Sequence, residues 1–182
     1  MPQLNEKVYT TEDYWNLPDN THAELIGGEL IMMAPPSPIH QEITLAIATE
    51  IRNYIRKNAG DCKVYPSPFA VNLLANDETW VEPDISIICD KNKITDRGCN
   101  GAPDFIVEIV SPSSRKMDYS TKMTLYSNSG VREYWIVDPR NKKILVYDLA
   151  QADMKIDSYT FEDKIKVNIY DDLWIDFKEL QL

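Results

Sequence analysis

This chain of 182 residues holds only 3 cysteines, 6 glycines and 2 histidines, so several common site chemistries lack their parts. Cys62, Cys89 and Cys99 are odd in number and show no CxxC spacing, which leaves structural zinc without a ligand set. Free buried thiols in a reducing compartment are the expected state of all three. The glycines form no P-loop, GxGxxG or GxSxG motif, so nucleotide hydrolysis, a Rossmann cofactor and serine hydrolysis have no support. No apolar run approaches the roughly 18 residues of a membrane span, and the opening MPQLNEKVYT has neither a basic nor an apolar leader segment. A cytoplasmic protein with no membrane partner is expected. Positive charge is also scarce: 19 Lys and Arg face 29 Asp and Glu, for a net charge of -10 and a pI near 4.7. That balance counts against broad attraction to nucleic acid, and a polyanion would have to meet a local basic patch.

What is present suits one ordinary globular domain. Hydrophobic residues make up 43% and aromatics 10% of the chain, enough to bury a core without staples. The reading is a single domain over residues 1–182, with an N-terminal arm at 1–20, a core over about 22–147, and a C-terminal hairpin and tail at 150–182. No repeat, linker or low-complexity tract interrupts it.

Phe105 to Val110 is apolar except for Glu108 and shows no polar alternation, the pattern of a strand covered on both faces. Pro112 stops it, Ser113 and Ser114 can cap a helix, and Met117, Thr121 and Leu125 follow at helical spacing before Gly130 ends the segment. Tyr134 to Val137 is a second buried strand, so the unit reads strand, helix, strand with a right-handed parallel crossover. A lone glutamate in such a strand must face a cavity, a cation or a metal, because an unpaired buried carboxylate costs several kcal/mol.

Upstream, one helical turn is expected near Thr11, and His22 to Met33 reads as a hairpin around Gly27-Gly28. Ser37-Pro38 opens a long helix whose Ile39, Ile43, Ile47, Ile51 and Ile55 share a face, ending near Asn58 to Gly60. Cys62 to Leu74 reads as a strand pair or a bulged edge strand, Trp80 to Cys89 as one strand carrying Asp84, and Asp90 to Gly101 as a polar loop. Downstream, Lys143 to Tyr147 is a strand, Ile156 to Phe161 pairs with Ile165 to Tyr170 in a hairpin, and Trp174 to Leu182 is a packed tail.

Asp84 and Glu108 lie on two of these strands. Were the strands neighbours, two carboxylates would face one cavity and could hold a hard divalent ion, which polarises a phosphoryl oxygen and lowers the pKa of bound water. Structural carboxylates capping a turn or paired with arginine are the alternative. Arg52, Arg56 and Lys57 form a basic stripe on the long helix, Arg115 and Lys116 open the later one, and Lys91, Lys93 and Arg97 mark the loop between. Each could contact phosphates, or be a solvated face.

Taken in order, HAELIGGELIMMAPPSPIHQEI, VEPDISII, PDFIVEIVSPSS, then Asp118, Lys122, Tyr126 and GVREYWIVDP resemble the Uma-type family of restriction endonucleases, within the PD-(D/E)XK nuclease superfamily. The resemblance covers roughly residues 22 to 147. It implies an α/β (α+β) restriction-endonuclease-like core, a mixed central β-sheet flanked by helices with added β-hairpins, that cleaves phosphodiester bonds of DNA with magnesium or manganese. Asp84 and Glu108 match its metal-binding acids. The position two beyond Glu108 is Val110, where the general nuclease pattern has a lysine, and Lys122 on the following helix matches the Uma-type substitute. A helix-stabilising surface pair with Asp118 is the other reading of Lys122. Glu24 matches a further acid and His40 a histidine of the family, while Tyr126 could orient Lys122. Arg115 and Lys116 are the substrate-binding candidates on the same helix. The resemblance also implies a homodimer, since a duplex has two strands to cut. A non-catalytic binding or assembly protein on the same fold is the alternative, which Val110 and the acidic pI favour.

Overall fold

The computed structural model describes residues 7–151, 153–180 and 182, so the first six residues of the expected arm lie outside the described residues. Helix α1 (Thr11–Trp15) is set by a capping box between Thr10 and Asp13, the two reciprocal bonds measuring 3.4 and 3.0 Å. Strands β1 (Ala23–Ile26) and β2 (Glu29–Met32) then form the expected hairpin. Gly27 and Gly28 take φ of +58° and +81°, which a two-residue turn of the primed type requires.

Ser37 caps α2 (Pro38–Lys57), and its Oγ accepts from the His40 N–H at 3.4 Å. Ile43, Ile47 and Ile51 are fully buried, whereas Ile39 is 38% exposed. A spacing of four overshoots the ~3.6-residue turn by about 40° per step. The isoleucine stripe therefore fans around the helix, and its first member clears the sheet.

Strands β3 (Lys63–Pro66), β4 (Val71–Asn72), β5 (Thr79–Val81) and β6 (Ile85–Ile88) follow. Here the structure corrects two expectations. Trp80 to Cys89 is two strands in two different sheets, because Glu82-Pro83-Asp84 crosses between layers. Pro83 has no N–H to give a ladder, and the Glu82 N–H donates instead to Glu24 Oε1 at 3.0 Å. The supposed loop at Asp90 to Gly101 contains a 3₁₀ turn and the strand pair β7 (Ile94–Thr95) and β8 (Gly98–Asn100).

Strand β9 (Phe105–Ile109) leads into a helical segment whose Met117–Lys122 stretch is π-helical and continues as α3 (Met123–Ser129). Gly130 ends it at φ +96°, followed by β10 (Glu133–Asp138) and β11 (Lys143–Asp148). As expected, β9 and β10 are parallel, with Glu108 opposite Ile136. The remaining strands are β12 (Lys155–Thr160), β13 (Lys164–Lys166) and β14 (Trp174–Asp176). The expected hairpin between Ile156–Phe161 and Ile165–Tyr170 is not formed. The open edge of β11 offers β12 a ladder from Lys143↔Thr160 to Asp148↔Lys155, and β13 pairs with β14 instead.

Among the described residues the central mixed sheet runs β12-β11-β10-β9-β6-β3, and a second sheet runs β2-β1-β5-β4-β8-β7. One face of the central sheet (Ile85, Ile87, Phe105, Val107, Trp135) packs on the α2 isoleucines and on Ile175 and Phe177 from the tail. The other (Ile88, Ile106, Val110, Tyr134, Ile136) packs on Tyr126 and on Val71 and Val81 of the second sheet. This is a restriction-endonuclease-like α+β core, a mixed sheet flanked by helices. Of the C-terminal aromatics, Tyr159, Phe161, Tyr170 and Phe177 pack on the core, and Trp174 is exposed.

The cysteine expectation is also corrected. Cys62 and Cys89 form a disulfide, while Cys99 is free and buried. Antiparallel pairing of Lys63 with Ile88 sets the flanking cysteines opposite each other, a closeness hidden by a sequence separation of 27. Burial pushes the Cys99 thiol up to about 11, so it stays protonated.

Candidate active site

The β6–β9 register pairs Ile85 with Val107, which leaves Asp84 and Glu108 as the next residues along the two strands. Glu108 leaves the sheet on the face opposite α2, since its strand neighbours Val107 and Ile109 occupy the α2 side, while Asp84 sits just before β6 at the strand end. Asp84 Oδ2 accepts from the Ile109 N–H at 2.7 Å. His40, in the first turn of α2, approaches the same oxygen with Nε2 at 3.1 Å. Burial alone would lower the His40 pKa, but the hydrogen bond and charge of Asp84 outweigh it and raise it.

Across the layer, β1 delivers Glu24 and the π-helical segment delivers Lys122. Its ammonium lies 2.9 Å from Glu24 Oε1, 3.0 Å from Glu108 Oε1 and 3.8 Å from Asp118 Oδ1. Tyr126 donates its hydroxyl to Glu108 Oε1 at 2.7 Å, so it orients the glutamate rather than the lysine. Asp118, Lys122 and Tyr126 are spaced by four, yet all are buried, at 1%, 4% and 0% exposure. The wider π turn takes up the drift that turned Ile39 of α2 out to solvent.

This geometry removes the surface-pair reading of Asp118 and Lys122 and the solvent-facing reading of Glu24, which is 3% exposed. Asp118 is the residue that sequence reasoning underweighted. Both of its carboxylate oxygens are buried without a hydrogen-bond partner, and burial pushes its pKa up to about 6. The available signal was its place one helical step before Lys122. Arg115 and Lys116 stand apart from the cluster. Arg115 Nη1 lies 2.5 Å from Asp138 Oδ2 and Lys116 is exposed.

The electrostatics are those of an acid surplus. Glu24, Asp84, Glu108 and Asp118 face one lysine and one histidine. Burial would lower the Lys122 pKa, but the charges of Glu108, Glu24 and Asp118 outweigh it, so the ammonium stays protonated. Burial and the neighbouring carboxylates Asp84, Asp118 and Glu24 push Glu108 well above the usual carboxylate range, despite Lys122. Asp84 and Glu108 each keep an oxygen open to a divalent cation. Asp84 Oδ1 and Glu108 Oε2 take no hydrogen bond among the described residues. Also among the described residues, no three His, Cys, Asp or Glu side chains converge as a ready metal cage. Magnesium needs none: one or two carboxylates, completed by waters and substrate phosphates, commonly hold it.

The fold belongs to the restriction-endonuclease-like class. Residues 11–178 match the Uma2 family model, described as "Putative restriction endonuclease", and the chain belongs to that family. It is 24% identical over 168 residues to the "Uncharacterized protein slr1290" of Synechocystis sp., covering 91% of this chain and 85% of that one. Its fold is similar to the crystal structure of a "putative nuclease belonging to DUF820" from Anabaena variabilis. The TM-score is 0.75 at 20% identity, with 94% of this chain and 96% of that chain covered.

Proposed function

We propose that the protein is a magnesium-dependent endonuclease that hydrolyses phosphodiester bonds of DNA, with manganese able to substitute, and that it acts as a homodimer. The observation that carries this reading is the buried acid surplus, with Asp84 Oδ1 and Glu108 Oε2 free beside a permanently charged Lys122. Asp84 and Glu108 would hold the ion. When bound, it supplies Lewis-acid polarisation of a phosphoryl oxygen and a more acidic water.

The chain's own residues supply the rest. Because Lys122 stays protonated, it serves as a fixed cation for the charge that develops on the phosphoryl oxygens, not as a base. Glu24 and Glu108 hold its ammonium in place, and Tyr126 fixes the Glu108 rotamer. His40 steadies Asp84 from the opposite layer. The attacking water loses its proton to a carboxylate of the cluster as its oxygen bonds to phosphorus, the P–O bond to the leaving sugar oxygen breaks, and that oxygen takes a proton from solvent. Glu24 Oε2 is suited to this, since the two bonds to Glu24 fall on Oε1. Lys116, and Arg115 where Asp138 releases it, are the phosphate contacts nearest in sequence.

The test is cleavage of plasmid and single-stranded DNA with magnesium or manganese, wild type beside Glu108→Ala. Cleavage by the wild type alone supports the reading, and equal cleavage by both overturns it. A second reading, a non-catalytic binding protein, is favoured by the full engagement of Lys122 with its acids. Calorimetric titration discriminates the two: manganese binding that is lost in Asp84→Ala sinks the second reading. Light scattering at micromolar concentration tests the dimer.

A further inference from the structure

The end of α2 and edge strand β3 enclose a concavity of about 430 Å³ lined by Arg52, Arg56, Lys63, Tyr65 and Gly60, at the opposite end of β6 from Asp84. Three features set it apart in a chain of net charge -10. Arg52 and Arg56 lie one turn apart on the same helical face, with Lys63 reaching the concavity from the strand. Among the described residues, none of the three forms an ion pair. Asp61, two residues before Lys63, is engaged by Lys91 at 2.5 Å.

The bland explanation is that cations offset the negative end of the helix dipole. Arg56 and Lys57 lie in the last turn and meet that need. Arg52, a turn earlier, and Lys63, on another element, exceed it.

The concavity also has a path to the carboxylates. Strand β3 runs from Lys63 to Pro66 along the sheet edge, and the Ser67 N–H then donates to the Asp84 carbonyl at 2.9 Å. At about 3.3 Å per residue that strand spans roughly 10 Å, the length of about three base pairs.

We infer that this groove is an anchoring site for the phosphate backbone of the nucleic-acid substrate, holding it about three base pairs from the bond cut at Asp84 and Glu108. The inference rests on the nuclease reading but is tested through binding. Labelled duplex and single-stranded oligonucleotides are titrated by fluorescence anisotropy, without divalent ion, over a range of salt concentrations. The proteins are wild type, the triple variant Arg52→Gln, Arg56→Gln, Lys63→Gln, and a charge-matched control. The control is Lys7→Gln, Lys155→Gln, Lys178→Gln, whose lysines already meet Asp13, Asp157 and Glu162. Arg52, Arg56 and Lys63 are exposed, so thermal melts of all three proteins should coincide.

The expected result is a loss of at least about tenfold in affinity, and a salt slope shallower by about 2 to 3, for the groove variant alone. Equal affinities and slopes for the groove variant and wild type overturn the anchoring site, whether or not the wild type cleaves. Groove-dependent binding without Asp84-dependent cleavage keeps the anchor and removes the nuclease. A wild type that binds neither oligonucleotide overturns the inference, while its cleavage assay decides the nuclease reading separately.

Discussion

Lys122 holds three buried carboxylates at once, so its removal tests stability as well as chemistry. Lys122→Ala leaves Glu24, Glu108 and Asp118 without their cation and should cost about 3–5 kcal/mol, read as a fall in denaturation midpoint. If Lys122→Ala melted like wild type, the lysine would not be holding the cluster. Glu133 provides a pH test away from that cluster. It is fully buried and accepts from Trp135 Nε1 at 2.7 Å, Asn168 Nδ2 at 3.2 Å and the Ile169 N–H at 3.0 Å. Burial nonetheless pushes its pKa from the ordinary 4.5 to about 7. The folded-state value lies above the unfolded one. Stability from this group is therefore full below about pH 4.5 and is lost as pH rises through about 7, by about 3 kcal/mol. Glu133→Gln should flatten this decline in unfolding curves taken from pH 5 to pH 8, and an unchanged slope refutes the assignment. The residue scale was partly legible in the sequence: a glutamate in an apolar run needs a partner wherever it sits. That Lys122 could reach Glu108 was legible only through the family pattern, and that Tyr126 donates to Glu108 rather than orienting Lys122 was not legible at all.

Elements differ in how much one side chain matters to them. Ile47 is wholly buried between α2 and the central sheet, so Ile47→Ala should cost about 2–5 kcal/mol, whereas Ile39→Ala should stay within about 0.5 kcal/mol. Comparable losses at both positions in urea unfolding would mean that α2 packs differently. In the second sheet, Gly98 has φ +125°, and a Cβ there would lie 2.0 Å from the Ala70 carbonyl oxygen. Gly98→Ala must push β8 off β4, whose register pairs Val71 with Cys99. We expect a larger loss than for Gly27→Ala, where nothing lies within 4 Å of the added carbon and only the strained φ of +58° is felt. Elements with a strong local signal, the Gly-Gly hairpin and the Ser-Pro helix start, were readable from the chain. The split of Trp80 to Cys89 was not, because Pro83 marks a break without saying that the halves enter different sheets.

At the scale of the whole molecule, the Cys62–Cys89 disulfide ties the end of β6 to edge strand β3, closing a loop with a separation of 27 residues. Loop-closure entropy makes such a link worth about 3–4 kcal/mol, so Cys62→Ser with Cys89→Ser should lower the denaturation midpoint correspondingly. A double variant as stable as the parent would show that the two sulfurs are not joined in solution. The two layers around the central sheet both reach the end of the β6–β9 pair that carries Asp84 and Glu108. His40 arrives from the α2 layer, and Glu24 and Lys122 from the other. The cluster therefore depends on both layers docking, and mutations that loosen either should lower activity before they unfold the chain. Among the described residues no helix is long and apolar enough to cross a membrane.

The sequence by itself determined the parallel strand–helix–strand unit, the long amphipathic helix and the first hairpin, and the family pattern singled out Glu24, Glu108 and Lys122, which the structure brings into contact. These rest on periodicity, caps and glycine conformations, which act over a few neighbouring residues. Only the tertiary structure decided that β6 pairs with β9 so that Asp84 accepts from the Ile109 N–H beside Glu108, that Asp118 is buried with its oxygens unpartnered, that β12 joins β11 rather than β13, and that Cys62 meets Cys89. Strand partners are chosen by competition among open edges and by burial summed over the whole core, and neither quantity is written in any short stretch of chain.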